Sequence, residues 1–154
     1  MSDRITATDE DFMREALALA DDAEAQNEVP VGAVVVLDRR VIGRGFNAPI
    51  SRKDPTAHAE VMALRAASLA TGDYRLPEAT LYVTMEPCAM CAGALVNARI
   101  RKLVFGVRDL RFGAVRSKFR LADSDLLNHR VEIVEGVLPD ECLRRLKGFF
   151  EQRR

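Results

Sequence analysis

The sequence has 154 residues, 48% of them apolar and 30% charged, so a single globular domain over 1–154 is the expectation. No apolar run is long enough to span a bilayer, and the acidic start "MSDRITATDEDF" lacks the form of a secretory signal. Three cysteines are too few for a disulfide framework, so a cytoplasmic protein without membrane attachment is expected. Net charge is zero, yet the charges are segregated: nine acids against two bases in 1–30, eight bases against Asp109 alone in 99–120, and five bases against Glu151 in 144–154. A positive face can therefore exist on a neutral protein, and nucleic acid is not excluded as a partner; solvated faces without a partner are the other reading.

In chain order, Asp9 to about Ala25 is predicted helical. Phe12, Ala16, Leu19, Ala20 and Ala23 recur on one face, and acids crowd the first turn, where the helix dipole favours them. "VGAVVVL" (31–37) and "VIGRGF" (41–46) read as strands of a hairpin around Asp38-Arg39-Arg40. A loop, "NAPISRKDP", leads to a predicted helix "TAHAEVMALRAASLAT", with Asp54 or Thr56 as its cap and Gly72 as its stop. "TLYVT" (80–84) is a strand, and a helix from about Cys88 to Ala98 follows. "RKLVFGV" (101–107) is another strand, 108–120 a basic loop, "VEIVEGVL" (131–138) the last strand, and Pro139 opens a terminal helix. Strands alternating with helices imply an α/β sandwich on a mixed sheet, antiparallel at the hairpin and parallel where helices cross over.

The chemistry is concentrated in "DPTAHAEVMAL" (54–64) and "TMEPCAMCAG" (84–93). His58 and Glu60 fall in the first turn of one predicted helix, Cys88 and Cys91 in the first turn of another, and both turns face the sheet edge where α/β proteins bind ligands. Cysteines three apart share a helix face, and the helix N-terminus favours their thiolates. One nitrogen and two sulfurs suit zinc. Three protein ligands leave the open position of a catalytic rather than a structural site. Cys142 in "DECLRRLKGFF" reads as a small core residue and His129 as a surface or hydrogen-bonding histidine, so neither supplies a fourth ligand. Glu60 is placed to take a proton from metal-activated water and return it to the substrate. A redox role for the Cys-x-x-Cys would leave His58-Ala59-Glu60 without a purpose.

His58-Ala59-Glu60 with Pro87-Cys88-Ala89-Met90-Cys91 resembles the signature of the zinc-dependent cytidine and nucleobase deaminases. Within that superfamily the chain is similar to the bacterial tRNA adenosine deaminases over nearly its whole length, including "EVPVGAV", "GFNAPI", "LVFGVRD" and "NHRVEI". The resemblance implies a cytidine deaminase-like fold, a three-layer α/β/α sandwich with a five-stranded mixed sheet. It implies one catalytic zinc per subunit on His58, Cys88 and Cys91, with Glu60 as the catalytic proton carrier. The reaction implied is hydrolysis of adenosine to inosine at the wobble position of a tRNA anticodon stem-loop. Water attacks adenine C6, and Glu60 protonates N1 and then the leaving amine.

Substrate contacts carried over are Asn47 to the flipped nucleoside, Val31 as a wall of the base pocket, and the turn at Pro87 for a backbone N–H near the attacking water. Arg108 and Asp109 match a loop beside the preceding nucleotide. Asn47 as a loop cap and Val31 as plain core remain open. The stretch "RFGAVRS" departs from the family pattern, with Arg111, Phe112 and Arg116 where lysine and a second glycine are usual. Altered contacts to RNA phosphates, with Arg111 serving in place of lysine, are the expectation. A homodimer is also implied, with the helix after Cys91 and the 108–120 loop in the interface. The alternatives are a zinc deaminase of a free base or nucleotide (guanine, cytosine or deoxycytidylate) and a zinc-stabilised RNA-binding module without turnover.

Overall fold

Apolar runs rich in valine and other large apolar residues assemble into one sheet. A computed structural model describes residues 5–153; the first four residues of the polar start and Arg154 of the terminal basic stretch lie outside them. The elements are α1 (Ala7–Ala25), β1 (Gly32–Leu37), β2 (Arg40–Phe46), α2 (Pro49–Arg52), α3 (Ala59–Thr71), β3 (Thr80–Met85), α4 (Ala89–Asn97), β4 (Lys102–Val107), β5 (Glu132–Glu135) and α5 (Pro139–Gln152). The sheet order is β2-β1-β3-β4-β5. β1 pairs antiparallel with both β2 and β3, while β3–β4 and β4–β5 are parallel, so the sheet is five-stranded and mixed. Asp38 and Arg39 form the hairpin turn with φ of 52° and 63°, the positive values that a two-residue turn between twisted strands requires.

The period of two sorts the strand side chains onto two faces. Ala33, Val35, Leu81, Val83, Leu103 and Phe105 join Ala63, Leu64 and Leu95 of α3 and α4. Val34, Val36, Tyr82, Val104 and Val134 join Met13, Ala16, Leu17 and Cys142 of α1 and α5. The result is the expected three layers, and Cys142 is the buried core residue the sequence implied. Each large side chain buried this way contributes about 1.5–3 kcal/mol.

α3 lies unusually close to β2. A Cβ built at Gly43 or Gly45 would overlap the carbonyl oxygens of Ala63 and Ala59. Glycine on the strand and alanine at every fourth helix position let the two backbones nearly touch, which fixes the N-terminus of α3 and with it His58. On α1 the buried stripe is Met13, Ala16, Leu17, Ala20 and Ala23, rotated from the expected one so that Phe12 and Leu19 flank it. Thr6 and Asp9 form a capping box, and Asp9 also accepts the Tyr82 hydroxyl at 2.7 Å. That buried bond pins the start of α1 to the sheet.

Local differences from the expectation have simple causes. α3 begins at Ala59 with His58 as its N-cap, because Asp54 spends its carboxylate on the amide and hydroxyl of Thr56 in its own turn. The 47–55 loop holds the one-turn α2, whose first amides are taken by the buried Glu28 carboxylate: Ser51 N and Oγ donate to it, both at 2.7 Å. β5 stops at Glu135 because Gly136 and Leu138 take positive φ (86° and 51°) and turn the chain into Pro139. No described helix is long and apolar enough to cross a membrane.

Candidate active site

Two helix N-termini meet beyond the end of β3. His58 caps α3 and Cys88 caps α4, with Cys91 in the first turn of α4. Neither cap residue bonds its own helix through its side chain. Both are turned instead toward a common point: one ligand atom from each of His58, Cys88 and Cys91 lies within 4.8 Å of the others. A tetrahedral zinc with Zn–N of about 2.05 Å and Zn–S of about 2.3 Å sets its N···S edges at about 3.6 Å. His58 Nδ1 stands 3.5 Å from Cys88 Sγ and 3.6 Å from Cys91 Sγ. The donor set and its spacing fit zinc.

The electrostatics of the three are interlocked. The Cys91 thiol donates to Cys88 and, with His58, brings the Cys88 thiol down to about 4 against the opposing effect of burial. The same hydrogen bond, with burial, pushes Cys91 up. Contact with Cys88 raises His58 against its own burial. The cluster thus holds protons that a metal ion would displace on binding.

Glu60 lies in the first turn of α3 and is 4% exposed. Burial raises its carboxyl to about 7, with the nearby Cys88 thiolate adding to the rise and its backbone amide and His58 opposing it. A carboxyl poised there can both take and give a proton near neutral pH, as general acid–base work requires. It is not among the metal-spaced residues.

A cavity of about 410 Å³ opens over this cluster. His58, Glu60 and Cys88 line its floor; Val31, Asn47, Asp109 and Arg111 line its walls. Asn47 Oδ1 accepts the Ala59 amide at 3.0 Å, capping α3 in place of His58. That bond fixes the amide flip and leaves Nδ2 as the donor available to a ligand. Two expected residues are placed elsewhere. Pro87 is not on the cavity surface, and its carbonyl accepts Ala114 N at 2.8 Å. Arg108 makes a two-pronged pair with Glu135, both contacts at 2.8 Å, and does not line the cavity.

Residues 108–120 contain no helix or strand, yet they are firmly held. Glu86, 3% exposed, accepts the amides of Asp109, Val115, Arg116 and Ser117 and the Ser117 hydroxyl. Burial works to raise its carboxyl, but these donors outweigh it and hold it below the usual carboxylate range. Arg116 does not take a positive φ, so the loop needs no glycine there. Its guanidinium forks onto Asp123 at 3.0 Å on both prongs and is not free for a phosphate.

Sequence reasoning missed Glu86, Val29, Met85, Leu146 and Phe150 on the cavity. The last two stand four apart on α5, a spacing visible in the sequence, but nothing local said which core that stripe would meet. His129 bonds the Ile100 carbonyl at 2.8 Å, in line with its hydrogen-bonding reading.

Comparison with known proteins agrees with the geometry. Residues 7–154 match the MafB19-like deaminase family. The chain is 52% identical over 147 residues to the tRNA-specific adenosine deaminase of Haemophilus influenzae, covering 95% of this chain and 85% of that one. It is 43% identical over 146 residues to the Bacillus subtilis protein of the same name, covering 95% and 91%. A solved structure from work on A-to-I editing by tRNA:A34 deaminases at the wobble position superimposes with a TM-score of 0.86 at 45% identity, covering 88% of this chain and 99% of that one. A two-helix metal-spaced cluster, a buried carboxyl beside it and similarity along almost the whole chain have one common meaning: the chain belongs to the tRNA-specific adenosine deaminase family.

Proposed function

We propose that the protein is a zinc-dependent hydrolase that converts adenosine to inosine at the wobble position of a tRNA anticodon stem-loop, releasing ammonia. The observation that carries this is the metal-spaced cluster of His58, Cys88 and Cys91 at the floor of a cavity that the buried Glu60 also lines. His58, Cys88 and Cys91 would hold the zinc, which when bound would lower the pKa of a water to about 7. Glu60 would move the two protons that hydrolysis requires, one from the attacking water to adenine N1 and the second from the hydroxyl newly formed on C6 to the amine, which leaves as ammonia.

The remaining cavity residues bind and orient. Asn47 Nδ2 donates to the flipped nucleoside, and Val31 walls the base. Asp109 has Oδ1 engaged by the amides of Arg111 and Phe112, which leaves Oδ2 to accept a ribose hydroxyl. Arg111 and the 63%-exposed Phe112 at the mouth suit a phosphate and an unpaired base. A cavity of about 410 Å³ is more than one base requires, and the surplus suits an RNA loop with splayed bases.

Unpaired thiols at Cys88, Cys91 and Cys142 suit the reducing cytoplasm. A single deaminase domain and a homodimer complete the reading. The dimer is supported by an apolar groove between α3 and α4, where Leu69 is 85% and Tyr74 62% exposed. Light scattering at micromolar concentration should report two chains; a monomer sinks that part alone.

The test is inosine formation in an anticodon stem-loop RNA with adenosine at the wobble position, run beside free adenosine, adenine, guanine and cytosine. Turnover of the stem-loop, lost in Glu60→Gln, is expected. Turnover of a free base without the stem-loop would overturn the substrate, and RNA binding without any ammonia release would overturn the enzyme.

A further inference from the structure

Glu86 is a buried carboxylate on the wall of the cavity that neither the metal cluster nor the proton transfers use. Its Oε1 accepts Asp109 N at 3.0 Å and Ser117 Oγ at 2.5 Å. Its Oε2 accepts Val115 N at 3.0 Å, Arg116 N at 2.7 Å and Ser117 N at 2.9 Å. A carboxylate is the one side chain that accepts everywhere and donates nowhere, and five donors converge on this one. The loop is shaped around it: a Cβ at Gly113 would collide with the carboxylate, and Gly113 N closes the turn onto Asp109 O at 2.9 Å. Asp109, held from behind in this way, presents its own side chain beside the cavity.

We propose that Glu86 is a positioning residue for the RNA substrate, acting through Asp109 by fixing the backbone that carries it; this rests on the function proposed above. The glutamine variant is informative because its two orientations are unequal. With its NH₂ on the Oε2 side it would oppose three N–H groups. On the Oε1 side it opposes only Asp109 N, since the Ser117 hydroxyl can rotate and accept. Glu86→Gln therefore releases Asp109 selectively while three loop amides stay bonded.

The experiment combines steady-state kinetics on the stem-loop RNA, zinc content and amide-resolved hydrogen exchange, using the zinc-loaded full chain. Glu86→Gln should raise KM by about tenfold, the effect of one hydrogen bond to a charged group, while kcat changes far less and zinc content is unchanged. Exchange should quicken at Asp109 while the amides of β3 and α4 keep their protection. In an Asp109→Ala background the same change should add little to KM, since both act through one contact. An unchanged KM, full additivity with Asp109→Ala, or a fall in kcat and zinc content at constant KM would each overturn the proposal. Unchanged exchange at Asp109 would do so even if the parent protein left the stem-loop unreacted, a result that would separately sink the proposed function. Should Glu86→Gln fail to fold, Ser117→Ala removes one of the five bonds. It should quicken exchange in 109–117 and raise KM more modestly; no change in either overturns the idea.

Discussion

The floor of the cavity and its outer wall are built by opposite means. The floor is delivered by regular structure: α3 is locked onto β2 by glycine–alanine contact, α4 follows β3 after three residues, and the two helix starts bring His58, Cys88 and Cys91 to metal spacing. The wall formed by 108–120 has no regular structure and is held by one buried carboxylate, Glu86, and two ion pairs, Arg108–Glu135 and Arg116–Asp123. The lip at 47–57 lies between the two, with Glu28 gripping α2 and Asn47 capping α3. Chemistry that tolerates no displacement rests on backbone ladders, while recognition rests on side-chain clamps that substitution can retune.

If that contrast is sound, damage to the floor should be total and damage to the wall graded. Cys91→Ala leaves two of the three proposed ligands, so zinc content and deamination should both fall to background, and chelation of the parent protein should reproduce the loss with a lower Tm. Substantial activity without zinc would break the comparison at its strongest point. Next in size is Glu60→Gln, which keeps the proposed ligands but removes the proposed proton carrier. kcat should drop about 10²–10⁴-fold with zinc retained, and single-turnover inosine formation measures it.

The same contrast explains what could be read in the sequence. Strands β1, β3 and β4 were legible because β-branched and apolar residues run through most of their length, and the meeting of His58, Cys88 and Cys91 because contiguous motifs put fixed residue types at helix starts. The stripe on α1 was misjudged by one position, since Phe12 and Met13 are equally apolar and only the packing against Val34 and Tyr82 decides between them. The role of Glu86 was not legible at all. Its five donors come from residues 23 to 31 positions away, and irregular turns leave no periodic trace. Arg116 looked like a departure in a glycine loop, yet it takes no positive φ and has its own partner in Asp123.

That pair gives the third test, on the wall. Burial raises the Asp123 carboxyl, but the Arg116 hydrogen bonds and charge prevail and hold it below its usual value. A depressed carboxyl stabilises the fold fully above its unfolded pKa of about 3.9 and loses that contribution as pH falls through the folded value. Arg116→Ala should therefore cost on the order of 1 kcal/mol near neutrality, as a partly buried two-pronged pair does. The gap in Tm between parent and variant should close in strongly acid solution. A gap independent of pH would show that Arg116 stabilises by packing alone.

The smallest expected difference separates two arginines three positions apart. Arg108 is consumed by Glu135 on β5, whereas Arg111 lines the cavity and rests near the Phe112 ring, 5.4 Å from its centroid. A guanidinium already paired gains little from a phosphate, because it must first give up its carboxylate; an unpaired one at the mouth has no such cost. Arg111→Ala should weaken stem-loop binding severalfold and reduce the slope of log K against log salt by about 1, the signature of one lost phosphate contact. Arg108→Ala should leave that slope nearly unchanged, since the charge it removes was already neutralised by Glu135. Fluorescence titration across a range of salt concentrations distinguishes them. Equal slopes for the two variants would mean that Arg108 abandons Glu135 for the RNA, and that the wall rearranges on binding in a way the floor does not.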